Sequence, residues 1–331
     1  MAAASKILNW GIIGCGDVTE IKSGPGFQKA DRSALVAVMR RDAAKAADYA
    51  QRHGVPKWYS DADELLNDAE VDAIYIATPP GSHESYTIKA LSMGKPVYVE
   101  KPMALNMASC VRMANAAKQF DTKLVVAHYR RAVPMFVAIK EWLECGALGD
   151  IRTVQLTMLM APNVEGVAKT ETNWRTNPKL SGGGYFHDLA PHQLDLMLHW
   201  FGVPEIINGF GVNQSGLYTA DDAVAGQLLF SNNIVFSGTW CFGVGPGTVK
   251  DWCQITGSKG SIGFPFFGKE IIVNVEGNEA RFPFEHPAHI QQPMIEKVTA
   301  YFLGDGGNPC PAVEGVEVMR MMDVFTAGEP V

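Results

Sequence analysis

The chain has 331 residues, 47% of them apolar, and a formal charge of −7. That length predicts roughly two domains with sizeable cores, which excludes intrinsic disorder. The acidic balance with scattered Lys and Arg argues against nucleic acid as the main partner, and no apolar run is long enough to span a bilayer.

The six cysteines (Cys15, Cys110, Cys145, Cys241, Cys253, Cys310) are widely spaced and form no CxxC pair. They predict reduced, packed thiols and no metal site. Met1 to Lys6 lacks a basic region followed by an apolar core. The expectation is a cytoplasmic protein with no secretory signal.

The first apolar run, 7–13, reads as a buried strand that stops at Gly14-Cys15-Gly16. A strand ending in Gly-x-Gly and opening a helix is how α/β domains hold a pyrophosphate. The first glycine allows the tight turn, the second lets the backbone approach phosphate, and the helix start at Asp17 and Val18 supplies N–H groups. Thr19 stands where a third glycine would be, so helix and strand approach less closely. Ser23-Gly24 before Pro25 predicts a break in the first helix, then a second short helix through Phe27.

Short apolar runs predict further strands at 34–39, 73–77, 97–99 and 124–127, with helical spacing at 43–53, 82–93 and 105–120. Ser82 is the expected N-cap of the second of these helices, and Gly94 its stop. Such alternation predicts βαβ units and a doubly wound parallel sheet. The second strand ends Arg40-Arg41-Asp42, where a dinucleotide domain contacts the adenosine ribose. A carboxylate there repels a 2′-phosphate and a guanidinium grips it, so NADP(H) is favoured over NAD(H). Asp42 is alternatively a ribose ligand or the cap of the next helix. The third strand leads into Thr78-Pro79-Pro80-Gly81-Ser82-His83, and the fourth ends Glu100-Lys101-Pro102. Lysine at a buried strand tip is unusual; beside a nicotinamide, its ammonium polarises a substrate oxygen.

After Tyr129 the pattern changes. A helix at 133–145 precedes a long alternating strand at 151–160. More strands follow at 206–213, 223–230, 234–242, 252–256 and 271–275, in succession and therefore expected to pair antiparallel. A helix at 187–200 interrupts them, and helical segments close the chain from 291 and near 313–325. Ser181-Gly182-Gly183-Gly184 precedes Asp188 and His192, which share one helix face. Aspartate orients an imidazole, and histidine accepts an alcohol proton near neutral pH. Pro191 is expected in the helix's first turn.

Five segments resemble the Gfo/Idh/MocA oxidoreductases: GIIGCGDVT at 11–19, ATPPGSH at 77–83, EKP at 100–102, HYRRAVPMF at 128–136 and WRTNPKLSGGGYFHDLAPHQLD at 174–195. The resemblance implies α/β architecture: a Rossmann domain at 1–127, then at 128–331 an α+β domain with a large open-faced, mostly antiparallel sheet. It implies a homodimer or homotetramer through that sheet, and catalytic Lys101, Asp188 and His192. The family's acidic residue after the second strand is replaced here by Arg40. The expected cofactor contacts are Gly14, Gly16, Asp17, Val18, Arg40, Arg41, Thr78, Pro79, His83, Glu100 and Lys101. Tyr129, Trp174, Arg175 and His192 are the expected substrate contacts, with Arg175 either selecting a carboxylate-bearing substrate or pairing with a carboxylate of its own domain. The implied reaction is hydride transfer between NADP(H) and a secondary alcohol or ketone of a sugar-like molecule. Alternatives are a non-sugar substrate such as a cyclic dihydrodiol, or a non-catalytic NADP-binding regulator.

Overall fold

The computed structural model describes residues 6–162 and 173–327. They form two compact units. The first holds 6–130 and Pro287–Val316; the second holds 131–162, Asn173–His286 and 317–327. The expected single division at 127/128 therefore falls at 130/131, and the first unit takes back a later stretch of chain.

The first unit begins β1 (Leu8–Ile13), α1 (Asp17–Ile21), α2 (Gly24–Lys29), β2 (Ser33–Met39) and α3 (Ala43–His53). It continues β3 (Lys57–Tyr59), α4 (Ala62–Asn67), β4 (Ala73–Ile76), α5 (His83–Ser92), β5 (Val97–Val99), α6 (Met107–Gln119) and β6 (Leu124–Val126). The six strands lie parallel in the order β3-β2-β1-β4-β5-β6. Every residue of β4, β5 and β6 is buried, as strands covered on both faces must be. The edge strand β3 and the short helix α4 have no counterpart in the sequence reading.

The helix breaks before Pro25 as expected, and the packing at the break requires glycine. A Cβ on Gly24 would lie 2.2 Å from the Thr19 carbonyl oxygen and 2.3 Å from the Tyr49 hydroxyl. Phe27 on α2 then packs against Trp10 and Tyr75, with ring centroids 4.8 and 4.9 Å away.

The second unit contains α7 (Pro134–Glu144), β7 (Ile151–Leu159), α8 (Pro178–Ser181), α9 (Gly184–Phe201), β8 (Ile206–Val212), β9 (Ala223–Leu229) and β10 (Val235–Cys241). Strands β11 (Lys250–Gly257), β12 (Gly260–Phe264), β13 (Glu270–Val275) and β14 (Asn278–Pro283) complete it. The chain ends in α10 (Gln292–Leu303), in the first unit, and α11 (Ala312–Ala327), which contains the 316/317 division. The eight strands are ordered β14-β13-β12-β11-β7-β10-β9-β8. All neighbours run antiparallel except β7 and β10, which pair in parallel, so the sheet is mostly antiparallel as expected. One face buries Val154, Leu156, Met158, Phe236, Trp240 and Ile255. Helix α9 is anchored to β10 where the Trp240 indole N–H donates to Gln193 Oε1 at 2.6 Å. Pro191 lies inside α9, not in its first turn as expected, because the helix starts at Gly184. Its missing N–H leaves the His187 carbonyl without the usual helical donor. No helix among the described residues is long and apolar enough to cross a membrane.

Candidate functional site

The glycine turn after β1 is shaped by two different demands. Gly14 has φ +97, and a Cβ there would lie 2.8 Å from the Thr78 backbone nitrogen. Only glycine fits that conformation and that contact with the loop after β4. Gly16 has an ordinary extended backbone, and a Cβ on it would meet only the Gly14 carbonyl at 3.9 Å. The space in front of Gly16 is a cradle that a side chain would fill, and it fits a diphosphate. Thr19 folds back on the turn: its hydroxyl donates to the Gly16 carbonyl at 2.8 Å and accepts from Gly16 N–H at 3.0 Å. Asp17 and Val18 are the first residues of α1. Burial pushes the Cys15 thiol up to about 11, with the Arg40 charge opposing, so it stays protonated.

At the end of β2, Arg40 donates from Nη1 to the Cys15 carbonyl at 3.3 Å, which places its guanidinium against the glycine turn. Arg41 is exposed. Asp42 caps α3, accepting from Lys45 N–H at 3.1 Å. Of the two readings left open for Asp42, helix cap is the one observed.

His83 holds two loops together. Its Nε2 lies 2.7 Å from the Thr78 carbonyl and its Nδ1 3.1 Å from the Pro102 carbonyl. Burial lowers its pKa. The ring, expected among the cofactor contacts, has both nitrogens facing protein carbonyls and ties Thr78 to Pro102. Ser82 stands at the N-cap of α5 as expected, but its hydroxyl makes no capping hydrogen bond; it donates to Thr78 Oγ1 at 2.8 Å and contacts the Pro79 carbonyl at 3.0 Å.

Glu100 is buried, and its carboxylate accepts from the Tyr75 hydroxyl at 2.5 Å, the Gln291 amide at 2.7 Å and Lys101 N–H at 3.0 Å. Lys101 follows, half-buried at the tip of β5. Tyr75 and Gln291 are site residues that sequence reasoning missed. Tyr75 reads as an ordinary strand aromatic, and Gln291 carries no local signal at all.

In the second unit, a short turn at Trp174–Thr176 presents Arg175, whose Nε–H donates to Asp188 Oδ2 at 2.9 Å. The guanidinium also lies 4.5 Å from the Trp174 ring centroid. Of the two roles left open for Arg175, the pairing within its own domain is therefore observed, and one face of the Trp174 ring is covered by it. His192 is buried one turn after Asp188 on α9, with the Phe267 ring 6.5 Å away between centroids and nearly perpendicular to it. Two of the three glycines before α9 have separate steric reasons. A Cβ on Gly183 would lie 2.1 Å from His187 Nδ1, and one on Gly184 2.7 Å from the Ala220 methyl. Burial lowers His187 to about 4, so its imidazole is neutral. Asp195 forms a buried pair with Arg131, accepting at 2.6 Å from Nη2 and 2.9 Å from Nε. That pair, also missed from the sequence, fixes α9 in place. Tyr129 is buried in a short turn after β6, in the first unit. Lys101 belongs to the first unit, and Asp188, His192, Trp174 and Arg175 to the second.

Residues 8–128 match the pattern described as an oxidoreductase family with an NAD-binding Rossmann fold, and residues 136–263 match the GFO/IDH/MocA C-terminal domain. Oxidoreductase P35 of Formosa agariphila is 46% identical over 318 residues, covering 96% of this chain and 98% of that protein. Trans-1,2-dihydrobenzene-1,2-diol dehydrogenase of Mus musculus is 28% identical over 281 residues, covering 82% and 79%. The solved structure of aldose-aldose oxidoreductase from Caulobacter crescentus, complexed with glycerol, has a TM-score of 0.82 at 23% identity. It covers 97% of this chain and 96% of that one, a likeness of fold.

Proposed function

Because this chain belongs to the Gfo/Idh/MocA family of NAD(P)-dependent oxidoreductases, we propose that it transfers a hydride between NADP(H) and a secondary alcohol or ketone of a sugar, polyol or sugar derivative. One observation carries the cofactor preference. Arg40 is fixed against the phosphate turn, while the carboxylate of Asp42 is engaged in capping α3. That end of β2 offers a 2′-phosphate a guanidinium.

The first unit holds the dinucleotide, with Gly14, Gly16, Asp17 and Val18 at the diphosphate, Arg40 and Arg41 at the ribose, and Thr78, Pro79 and Glu100 toward the nicotinamide. A nicotinamide cofactor held there would supply the hydride-transfer chemistry. His192 takes the hydroxyl proton during oxidation and returns it during reduction. Asp188 balances the imidazolium charge, itself oriented by Arg175. The Lys101 ammonium stabilises the developing alkoxide. Trp174 stacks on a sugar ring, and Tyr129 donates a hydrogen bond to substrate.

The outer face of the second unit's sheet exposes Ile206, Phe210 and Val212 on β8 and Val235 on β10. These positions share one face by register, through Leu229, Ala225 and Ala223 of β9. A second copy of the chain covers that face in a homodimer or homotetramer. The free thiols fit a cytoplasmic enzyme.

A trans-dihydrodiol substrate is the second reading. It is favoured by the Phe267 ring beside His192, which gives the imidazole an apolar neighbour, and by the dihydrodiol dehydrogenase relatives. A panel of polyols, aldoses, keto-sugars and trans-1,2-dihydrobenzene-1,2-diol, followed by nicotinamide absorbance with NADP+ and NAD+ or their reduced forms, separates the two. Turnover of a sugar-type compound with NADP(H) preferred is the expected result. Turnover confined to the dihydrodiol, or a preference for NAD(H), overturns the corresponding half of the proposal.

A further inference from the structure

Glu100 and Gln291 meet inside the first unit although 191 positions separate them. The Gln291 backbone is fixed on both sides. Its N–H donates to the Lys22 carbonyl at 3.1 Å, just past α1, and its carbonyl accepts from Met294 and Ile295 N–H at 3.0 Å. Two residues earlier, His289 Nδ1 reaches the Ile21 carbonyl at 2.7 Å. The Gln291 side chain is 1% exposed, and its amide N–H reaches Glu100 Oε1 at 2.7 Å. On that same oxygen the Tyr75 hydroxyl donates at 2.5 Å. Burial and the neighbouring carboxylate hold Tyr75 well above its ordinary pKa, so it remains a donor. The other oxygen, Oε2, accepts from the Lys101 N–H. The Glu100 rotamer thus sets the peptide plane that launches Lys101.

We propose that Gln291 is a positioning residue for Lys101: it holds Glu100, and through Glu100 the Lys101 backbone, in register with the helix behind the phosphate turn. This rests on the role given to Lys101 above. Loss of the amide leaves Oε1 with one donor and lets the Glu100 side chain turn. The peptide before Lys101 then turns with it, and a misplacement near 1 Å costs about 100-fold in rate.

The test uses the full chain, with NADP+ and the panel alcohol that turns over fastest for turnover, and NADPH alone for binding and emission. Gln291→Leu is expected to lower kcat by about 100-fold, leave the Kd for NADPH nearly unchanged, and alter the emission of bound NADPH, a readout that needs no substrate. Gln291→Glu supplies an independent signature. Two carboxyl groups at this distance share a proton, so the variant has the missing donor at low pH and loses it as pH rises. Its turnover and bound-NADPH emission therefore approach wild type on acidification. Tyr75→Phe removes the second donor without removing bulk and shifts the emission in the same direction, which decides the matter if Gln291→Leu fails to fold. Lys101→Ala separates the two levels of the argument. Full turnover in Lys101→Ala overturns the role of Lys101 itself. If Lys101→Ala has lost turnover while Gln291→Leu, or Tyr75→Phe in its place, keeps wild-type turnover and emission, the positioning role of Gln291 is overturned alone.

Discussion

The Nε–H of Arg175 lies 2.9 Å from Oδ2 of Asp188, and their side chains are only 11 and 12% exposed. A pair this sheltered depends on both members, because a lone buried charge has neither water nor partner. Arg175→Ala is expected to destabilise the protein by about 3 kcal/mol, read from denaturant unfolding. It should also lower kcat, because Asp188 loses its orientation. Arg175→Ala with unchanged stability would show that the pair contributes little in solution.

Arg40→Asp should weaken NADPH binding far more than NADH binding. Removing a charge-assisted contact costs about 2 kcal/mol, or about 30-fold in affinity. The aspartate adds repulsion of the 2′-phosphate. Fluorescence titration with both reduced cofactors checks this, and equal losses for the two would remove Arg40 from the phosphate contact.

Acid sensitivity should arise from His187 and His199. Burial lowers both to about 4, and the charges of Arg131 and Lys140 oppose protonation of His199 further. The unfolded chain takes up these protons near the ordinary value of 6.5, so it binds more protons than the folded chain just below that pH. Stability is therefore fully present above about pH 6.5 and falls as pH drops toward 4. His199→Gln, which cannot take up the proton, should flatten the decline in Tm over that window. A decline as steep as wild type would assign it elsewhere.

Phe210 stands on the outer face of the second unit's sheet, 58% exposed. If that face joins two copies, Phe210→Lys should convert the dimer or tetramer to monomer in light scattering, without loss of secondary structure. A wild-type mass for the variant would point to another surface.

The βαβ alternation was readable because strands covered on both faces are short, unbroken apolar runs, and β4, β5 and β6 are buried throughout. The missed strands lack that mark. Every residue of β14 is exposed, β3 is three residues long with Trp58 exposed, and β12 is diluted by Gly260 and Gly263. The placement of Pro191 failed because the helix starts in the glycine triplet, where propensity argues against one. Lys101, Asp188 and His192 stood out through residue type and spacing. Gln291 and the Arg131–Asp195 pair did not, since their partners are remote in sequence and no local pattern marks a buried contact that long-range folding creates.

The return of Pro287–Val316 to the first unit means that the nucleotide-binding body is not a transplantable prefix. A gene fragment stopping after Arg130 would carry the glycine turn and Lys101. It would strip Glu100 of Gln291, uncover Trp10 where Phe302 packs 5.5 Å away, and leave the Val126 N–H without the Cys310 carbonyl. Chimeras between relatives that keep both units whole therefore require three crossovers that travel together, at 130/131, 286/287 and 316/317, and recombination at a single junction should yield insoluble product.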